Sequence, residues 1–184
     1  MKRMRSEVAT LLFAGVVVAA SAHQAWALDR QKLQREASAA LRSLTASDTA
    51  ASLLAQKAKA VLVFPSILKA GFMFGGQVGN GVLFKKGKAV GYYNSLAGSY
   101  GLQAGIQKFG YVLFFMNDAS LAYLDKSEGW EIGVGPSIVV VDKGKGKSLT
   151  STTLTQDVYA FIFDQKGLMA GLGIQGSKIT KISS

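Results

Sequence analysis

From Val61 onward the chain consists of short runs rich in Val, Ile, Phe and Tyr, which glycine interrupts repeatedly. The whole chain has 21 glycines, and glycine weakens an isolated strand because it has no side chain to pack. Inside a larger sheet, glycine permits close approach of strands, bulges and sharp bends. We therefore expect a Gly-rich, mostly antiparallel curled sheet or barrel-like core.

Short β-rich segments and glycine-containing loops give the expected strand pattern. Lys85–Lys88 and Asp164–Gly167 have the composition of hairpin turns, with glycine where the backbone needs positive φ, so neighbouring strands are predicted to be antiparallel. The predicted strands are Val61–Phe64, Phe72–Gln77, Val82–Lys85, Ala89–Tyr93, Tyr100–Gln107, Tyr111–Met116, Ile138–Val141, Val158–Asp164, Met169–Ile174 and Ile179–Ile182.

The residues before the sheet have helical periodicity. Apolar side chains recur at helical spacing through Leu28–Leu44, and Arg and Lys occupy most of the other positions, which predicts a basic amphipathic helix. Ser47 or Asp48 is the expected N-cap of a second helix. A later helix is predicted to begin at Asp118 and to end before Gly129. The fold class is therefore α+β, with N-terminal helices followed by the sheet and one further helix.

The first 27 residues have the three parts of a secretory signal peptide. Met1–Glu7 is basic, Val8–Ala20 is almost wholly apolar, and Ala25–Ala27 places small residues around a tryptophan. The apolar run is shorter than the roughly 20 residues that a membrane-spanning helix needs. We expect cleavage after Ala27, which leaves 28–184 as a single domain that is peripheral to the membrane in the periplasm or cell envelope.

After cleavage, the chain lacks the histidine and cysteine side chains on which most hydrolytic enzymes rely. The chain has no cysteine, and its one histidine, His23, lies in the predicted signal peptide. A Cys/His zinc site, Ser-His-Asp or Cys-His catalysis and a disulfide are therefore excluded from the processed chain. We expect no enzyme activity, metal or cofactor. The remaining carboxylates of the sheet region are predicted to be solvated at turns or caps: Asp118, Asp125, Glu128, Glu131, Asp142, Asp157 and Asp164.

Two glycine motifs imitate nucleotide-binding loops. Gly171–Gly176 matches G-x-G-x-x-G, but a strand rather than a helix is predicted after it. Gly146–Ser148 resembles the end of a phosphate loop, but Val141 stands where that loop needs its first glycine. Neither motif is expected to bind a nucleotide.

The formal net charge of +10 favours a polyanionic partner. Export makes nucleic acid the least expected of the polyanions. Anionic lipid attracts each basic residue near its surface by about 1 kcal/mol, so a few clustered lysines give reversible docking. The alternative is that the charge only keeps a hydrophobic, Gly-rich protein soluble.

Several ordered motifs resemble those of the SYLF-domain family, and the resemblance covers roughly residues 30–182. The eukaryotic pattern has a Tyr-Ser pair where this chain has Val158–Phe163, which is a departure from the family. The matching motifs are Lys59–Pro65, Lys69–Phe72 with Gly75, Gly76, Gly79 and Gly81, Gly98–Gly105, Gly133–Pro136, and Gly167–Gly171 with Gly176.

This resemblance implies a lipid-binding module, because eukaryotic members bind phosphoinositides through an N-terminal amphipathic helix and basic residues. Some yeast relatives bind actin, but secreted members are usually bacterial, and actin is not an expected partner of a protein that a bacterium exports. Phosphatidylglycerol, cardiolipin or lipopolysaccharide would supply the anionic groups. The region Leu28–Lys69 matches, and its candidate head-group contacts are Arg30, Lys32, Arg35, Lys57, Lys59 and Lys69.

Two other functions stay open. The chain could be a non-catalytic interaction or structural protein of the cell envelope, with a protein or peptidoglycan as its partner. An integral outer-membrane barrel is less favoured, because Val61–Phe64 and Tyr111–Met116 are apolar on both faces whereas spanning strands alternate. The apolar stripe of the first helix could likewise face a membrane or pack against the chain's own sheet.

Overall fold

A computed structural model of the chain describes residues 29–72, 74–100, 105–126, 128–141, 154–167 and 174–183. Two helices come first: α1 covers residues 29–47 and α2 covers Thr49–Lys57. The strands are β1 (Ala60–Phe72), β2 (Phe74–Lys85), β3 (Lys88–Tyr100), β4 (Gly105–Phe115), β5 (Trp130–Glu131), β6 (Ile138–Val140), β7 (Val158–Gly167) and β8 (Lys178–Lys181). Between β4 and β5 lie α3 (Asp118–Leu121) and a 3-10 turn (Ala122–Asp125).

The described strands form one sheet in the order β5-β8-β3-β2-β1-β4-β7-β6. Neighbouring strands are antiparallel, except that β6 runs parallel to β7. The sheet curls into a half-barrel. The predicted α+β class, with helices first and a mostly antiparallel curled sheet, is confirmed.

The sheet has a core on each face. The inner face holds large aromatic side chains, among them Phe64, Tyr111 and Trp130. The outer face is covered at one end by α1 and α2, whose Ala37 and Leu54 belong to the same buried cluster as strand residues of that face. The other stripe residues Leu33, Ala40, Leu41 and Leu44 also pack against this cluster. The apolar stripe of α1 therefore lies on the chain's own sheet.

Side-chain caps fix the helix starts. The Asp48 carboxylate accepts a hydrogen bond from the amide of Ala51 at 3.0 Å, which confirms Asp48 as the N-cap of α2. The third helix differs from the prediction, because Asn117 rather than Asp118 is its N-cap and accepts from the amide of Ser120 at 2.8 Å. It spans a single turn and continues as a 3-10 turn that ends at Asp125.

One predicted hairpin loop is confirmed and the other is wrong. Lys86 and Gly87 join β2 to β3 with φ of 49° and 76°, which are the positive values of a two-residue hairpin turn. Asp164 also has positive φ, 51°, but it lies inside β7, where the register against β4 shifts. A glycine-containing run with one positive φ is common to turns and bulges, and here β7 continues along β4.

Glycine does not end the strands where the sequence pattern predicts. Most of the predicted strand Phe72–Gln77 and all of Val82–Lys85 belong to β2, which runs through Gly79 and Gly81, whereas Phe72 ends β1. A Cβ on Gly79 would lie 2.5 Å from the Ser66 carbonyl oxygen, so glycine at this position permits the predicted close approach of β1 and β2. Similarly, β4 contains most of Tyr111–Met116 and the end of Tyr100–Gln107. Strand β5 was not predicted, and most of Met169–Ile174 lies outside the described residues.

Candidate functional site

The candidate site is a groove where α1, α2 and the β2–β3 hairpin meet. It has a volume of about 410 Å³, and its apolar lining includes Ala55 and Phe84. Three elements each supply one cation: Arg42 from α1, Lys59 from the link between α2 and β1, and Lys86 from the hairpin. We call the cavity lined by these five residues the basic groove.

A second depression adjoins the basic groove along α1. Its volume is about 520 Å³, and it shares Ser38 and Arg42 with the groove while adding Arg35. Among the described residues, no carboxylate lines either cavity. Arg35 and Arg42 are seven residues apart, about two helical turns, so they lie on one face of α1. The two cavities together form one trough. The charged residues that line it, in the part of the chain that the structure describes, are all cations.

Backbone contacts hold the basic groove in shape. The amide of Ala58 closes α2 on the Leu54 carbonyl at 2.8 Å, and the amide of Lys59 donates to the Phe115 carbonyl, also at 2.8 Å. The exposed Lys59 side chain therefore projects from a fixed backbone. The backbone of Lys86 is also constrained, because this residue lies in the tight hairpin turn.

The structure brings two of the predicted head-group contacts into this trough, namely Arg35 and Lys59. Lys32 and Lys57 are exposed on the helices nearby, but line neither cavity. Arg30 is occupied elsewhere: its guanidinium donates to the Ser183 carbonyl at 3.2 Å and lies 5.2 Å from the centre of the Tyr92 ring. Its charge ties α1 to the sheet and to the end of the chain.

Lys69 lines neither cavity of the trough. It is buried on the inner face of β1, directly opposite Gln77 on β2 and Gln107 on β4, both also buried. The Gln77 amide donates to the Ser177 hydroxyl at 2.7 Å. Lys69 is thus part of a buried polar row, a position that argues against direct contact with a membrane surface.

Sequence reasoning missed Arg42 and Lys86. The signal for Arg42 was its helical spacing from Arg35, and the signal for Lys86 was its place in a correctly predicted hairpin loop. Lys143, Lys145 and Lys147, which alternate with glycine in the sequence, lie outside the described residues.

The Asp157 side chain stabilises the fold through several hydrogen bonds. Its carboxylate accepts from the amide and hydroxyl of Ser137, both at 2.8 Å, and from the Asn117 amide at 2.7 Å. The Asp157 amide donates back to the Ser137 hydroxyl at 2.9 Å. These hydrogen bonds, led by that of the Ser137 amide, lower the pKa of Asp157 because they stabilise the ionised form. The carboxylate joins the starts of β6 and β7 to the end of β4.

Acid should weaken this junction. Because the folded-state pKa of Asp157 is lowered, its contribution to stability is present above the pKa of an unfolded aspartate, about 4, and is lost as the pH falls through the folded-state pKa. Asp157→Asn should cost about 1 kcal/mol at pH 7 and less at pH 3. Urea unfolding at both pH values checks this, with Asp118→Asn as the exposed control. An equal cost at both pH values would contradict the assignment.

No helix in the described part of the chain has both the length and the apolar character needed to cross a bilayer. Among the same residues, no three His, Cys, Asp or Glu side chains gather where a metal ion could be held.

Comparison with known families adds one match. The Ysc84 family model, described as "Las17-binding protein actin regulator", matches residues 96–184. The resemblance to the SYLF family is therefore confirmed over residues 96–184. The match to the SYLF family covers the end of β3 and all later strands, whereas the cations of the trough come before it. No curated protein matches the chain.

Proposed function

We propose that this chain is an exported, non-catalytic lipid-binding protein that docks reversibly on anionic membrane lipids through the trough beside α1. In this proposal residues 1–27 are removed on export, and 28–184 act as one domain at the periplasmic or envelope surface of a membrane. The SYLF family is associated with lipid and actin binding. Actin binding is not part of the proposal.

One observation carries the proposal: Arg35, Arg42, Lys59 and Lys86 converge from three elements on cavities that no carboxylate of the described part of the chain lines. Lipid phosphates would pair with these cations, and each cation contributes about 1 kcal/mol of attraction. The apolar stripe of α1 packs on the sheet, so charge rather than insertion of α1 would hold the protein at this surface. Such attraction weakens as salt rises, which keeps the docking reversible.

Reversing two groove charges tests the proposal. Lys59→Glu/Lys86→Glu should bind vesicles of phosphatidylglycerol and phosphatidylcholine at least about 30-fold more weakly than wild type, because two attractions of about 1 kcal/mol are lost and repulsion replaces them. The protein is purified from the envelope of expressing cells, with its intact mass reporting whether residues 1–27 are absent. Binding is measured by vesicle sedimentation at low and physiological salt.

The matched control is Lys126→Glu/Lys181→Glu, which changes net charge equally on exposed residues outside both cavities. It removes the exposed ion pair between Lys181 and Asp125 and the contact of the Lys126 ammonium with the Tyr123 ring, both at the surface, so stability should change little. If both double variants lose affinity equally, net charge rather than the trough drives binding. Wild-type protein that ignores anionic vesicles at low salt would refute lipid docking.

A further inference from the structure

In the part of the chain that the structure describes, nothing covers the outer face of the sheet beyond the helices. Cross-strand pairing places Leu68 of β1 opposite Val78 of β2, and Val78 opposite Leu96 of β3. Directly paired residues point to the same face, and these three are 47%, 45% and 54% exposed. Ile106 of β4, 68% exposed, pairs with Ala70 one step further along the same face. We call Leu68, Val78, Leu96 and Ile106 the outer patch.

The outer patch continues the face that the helices cover. On β2, alternate residues share a face, so Val78 points the same way as Val82, which is buried in the cluster with α1 and α2. The helices cover only the end of this face near Val82. A contiguous group of large exposed apolar side chains marks an interaction surface, whereas single exposed ones need no explanation.

Lysines stand at both ends of the patch. Leu96 pairs with Lys178 on β8, while Leu68 pairs with Lys108 on β4, which in turn pairs with Lys166 on β7. These lysines are exposed. Across the sheet the row therefore reads Lys178, Leu96, Val78, Leu68, Lys108, Lys166. One carboxylate adjoins the row, because Glu131 of β5 pairs with Lys178 at its end.

We propose that the outer patch inserts into the surface of a bilayer that contains anionic phospholipid. Leu68, Val78, Leu96 and Ile106 enter the boundary between head groups and acyl chains, and the flanking lysines pair with lipid phosphates. An apolar centre with basic flanks is the pattern of interfacial membrane binding. This inference rests on the proposed membrane docking and adds the surface that enters the lipid.

The lysines around the outer patch favour an anionic bilayer over other binding partners. A second copy of the chain, docked face to face, would bring the lysine ends of the two rows together, and like charges oppose that contact. A purely polar polyanion would leave the apolar centre of the patch without a partner. An anionic bilayer satisfies both parts of the surface.

Removing the apolar groups without changing charge tests the inference. Leu68→Gln/Ile106→Gln should bind the same phosphatidylglycerol and phosphatidylcholine vesicles about 30-fold more weakly, because two large side chains no longer leave water. The matched control is Val139→Gln/Val140→Gln on β6, where the side chains are also exposed, at 37% and 39%. That control should bind as wild type does, and urea unfolding shows that both variants are folded.

A direct readout of insertion is available because the chain has no cysteine. An environment-sensitive dye on Ile106→Cys should shift its emission to the blue on anionic vesicles, while the same dye on Val140→Cys should not. Unchanged affinity of Leu68→Gln/Ile106→Gln, or a dye at residue 106 that stays in water, overturns the inference. So does self-association of wild type that the glutamine variant abolishes.

The two double variants test the basic groove and the outer patch separately. If Lys59→Glu/Lys86→Glu weakens binding while Leu68→Gln/Ile106→Gln does not, the groove stands and the patch is wrong. If the reverse holds, the patch stands and the groove is wrong. If wild type binds no anionic vesicle, both are wrong.

Discussion

Phe64→Ala should lower the free energy of unfolding by about 3 to 5 kcal/mol, a large part of the 5 to 15 kcal/mol that typical domains have. Phe64 is fully buried on the inner face, and its ring stacks on that of Tyr111 with centroids 4.6 Å apart. The variant loses the transfer free energy of the ring and leaves a cavity beneath a curled sheet.

Urea unfolding followed by circular dichroism measures the loss. Val140→Ala, on an exposed edge position, is the control and should change stability by no more than about 0.5 kcal/mol. A loss below about 1 kcal/mol for Phe64→Ala would mean that the inner core does not hold the sheet together as described.

Gly81→Val should cost about 3 kcal/mol, at the upper end of the usual effect of overpacking. A Cβ on Gly81 would lie 2.7 Å from the Phe64 ring and 2.8 Å from the Val63 carbonyl oxygen. The ring could move, but the carbonyl belongs to the central strand β1, which is paired on both sides. The variant must therefore shift backbone.

Gly98→Val provides the matched control for this clash. A Cβ on Gly98 meets no atom within 4 Å, and Gly98 lies in β3 of the same sheet. Valine there should be neutral or slightly stabilising, since it suits a strand better than glycine does. In addition, Gly81→Ala should lower the free energy of unfolding by less in the Phe64→Ala variant than in the wild-type protein. Equal effects of valine at residues 81 and 98 would contradict the close approach.

Features set by adjacent residues could be predicted from the sequence. Asp48 caps α2 and Lys86–Gly87 makes the hairpin because each needs only its immediate neighbours. The apolar periodicity of α1 likewise predicts its apolar stripe, but it leaves open that the stripe packs on the sheet rather than on a membrane. The glycines of β2 were misread as strand ends because the reason for them lies on another strand, where Phe64 and Ser66 approach.

The burial of Lys69 has one local cause. Alternation from the inward-pointing Phe64 would turn residues 66 and 68 inward and Lys69 outward. A bulge between Val63 and Ser66 adds a residue, so Ile67 and Lys69 point inward and Leu68 points outward. The same bulge therefore buries Lys69, a predicted lipid contact, and exposes Leu68, a residue of the outer patch. No pattern in β1 alone identifies this change of face.

The pairing of β8 with β3 constrains the order in which the chain can fold. Tyr93 pairs with Lys181, so β3 stays an open edge until almost the entire chain has been synthesised. Contacts between such distant segments form slowly, and an unpaired edge can pair with other chains. A chain that ends before Lys178 would keep this edge exposed permanently and would tend to aggregate. For a protein exported as proposed, this edge could close only after the segment that carries β8 had also crossed the membrane.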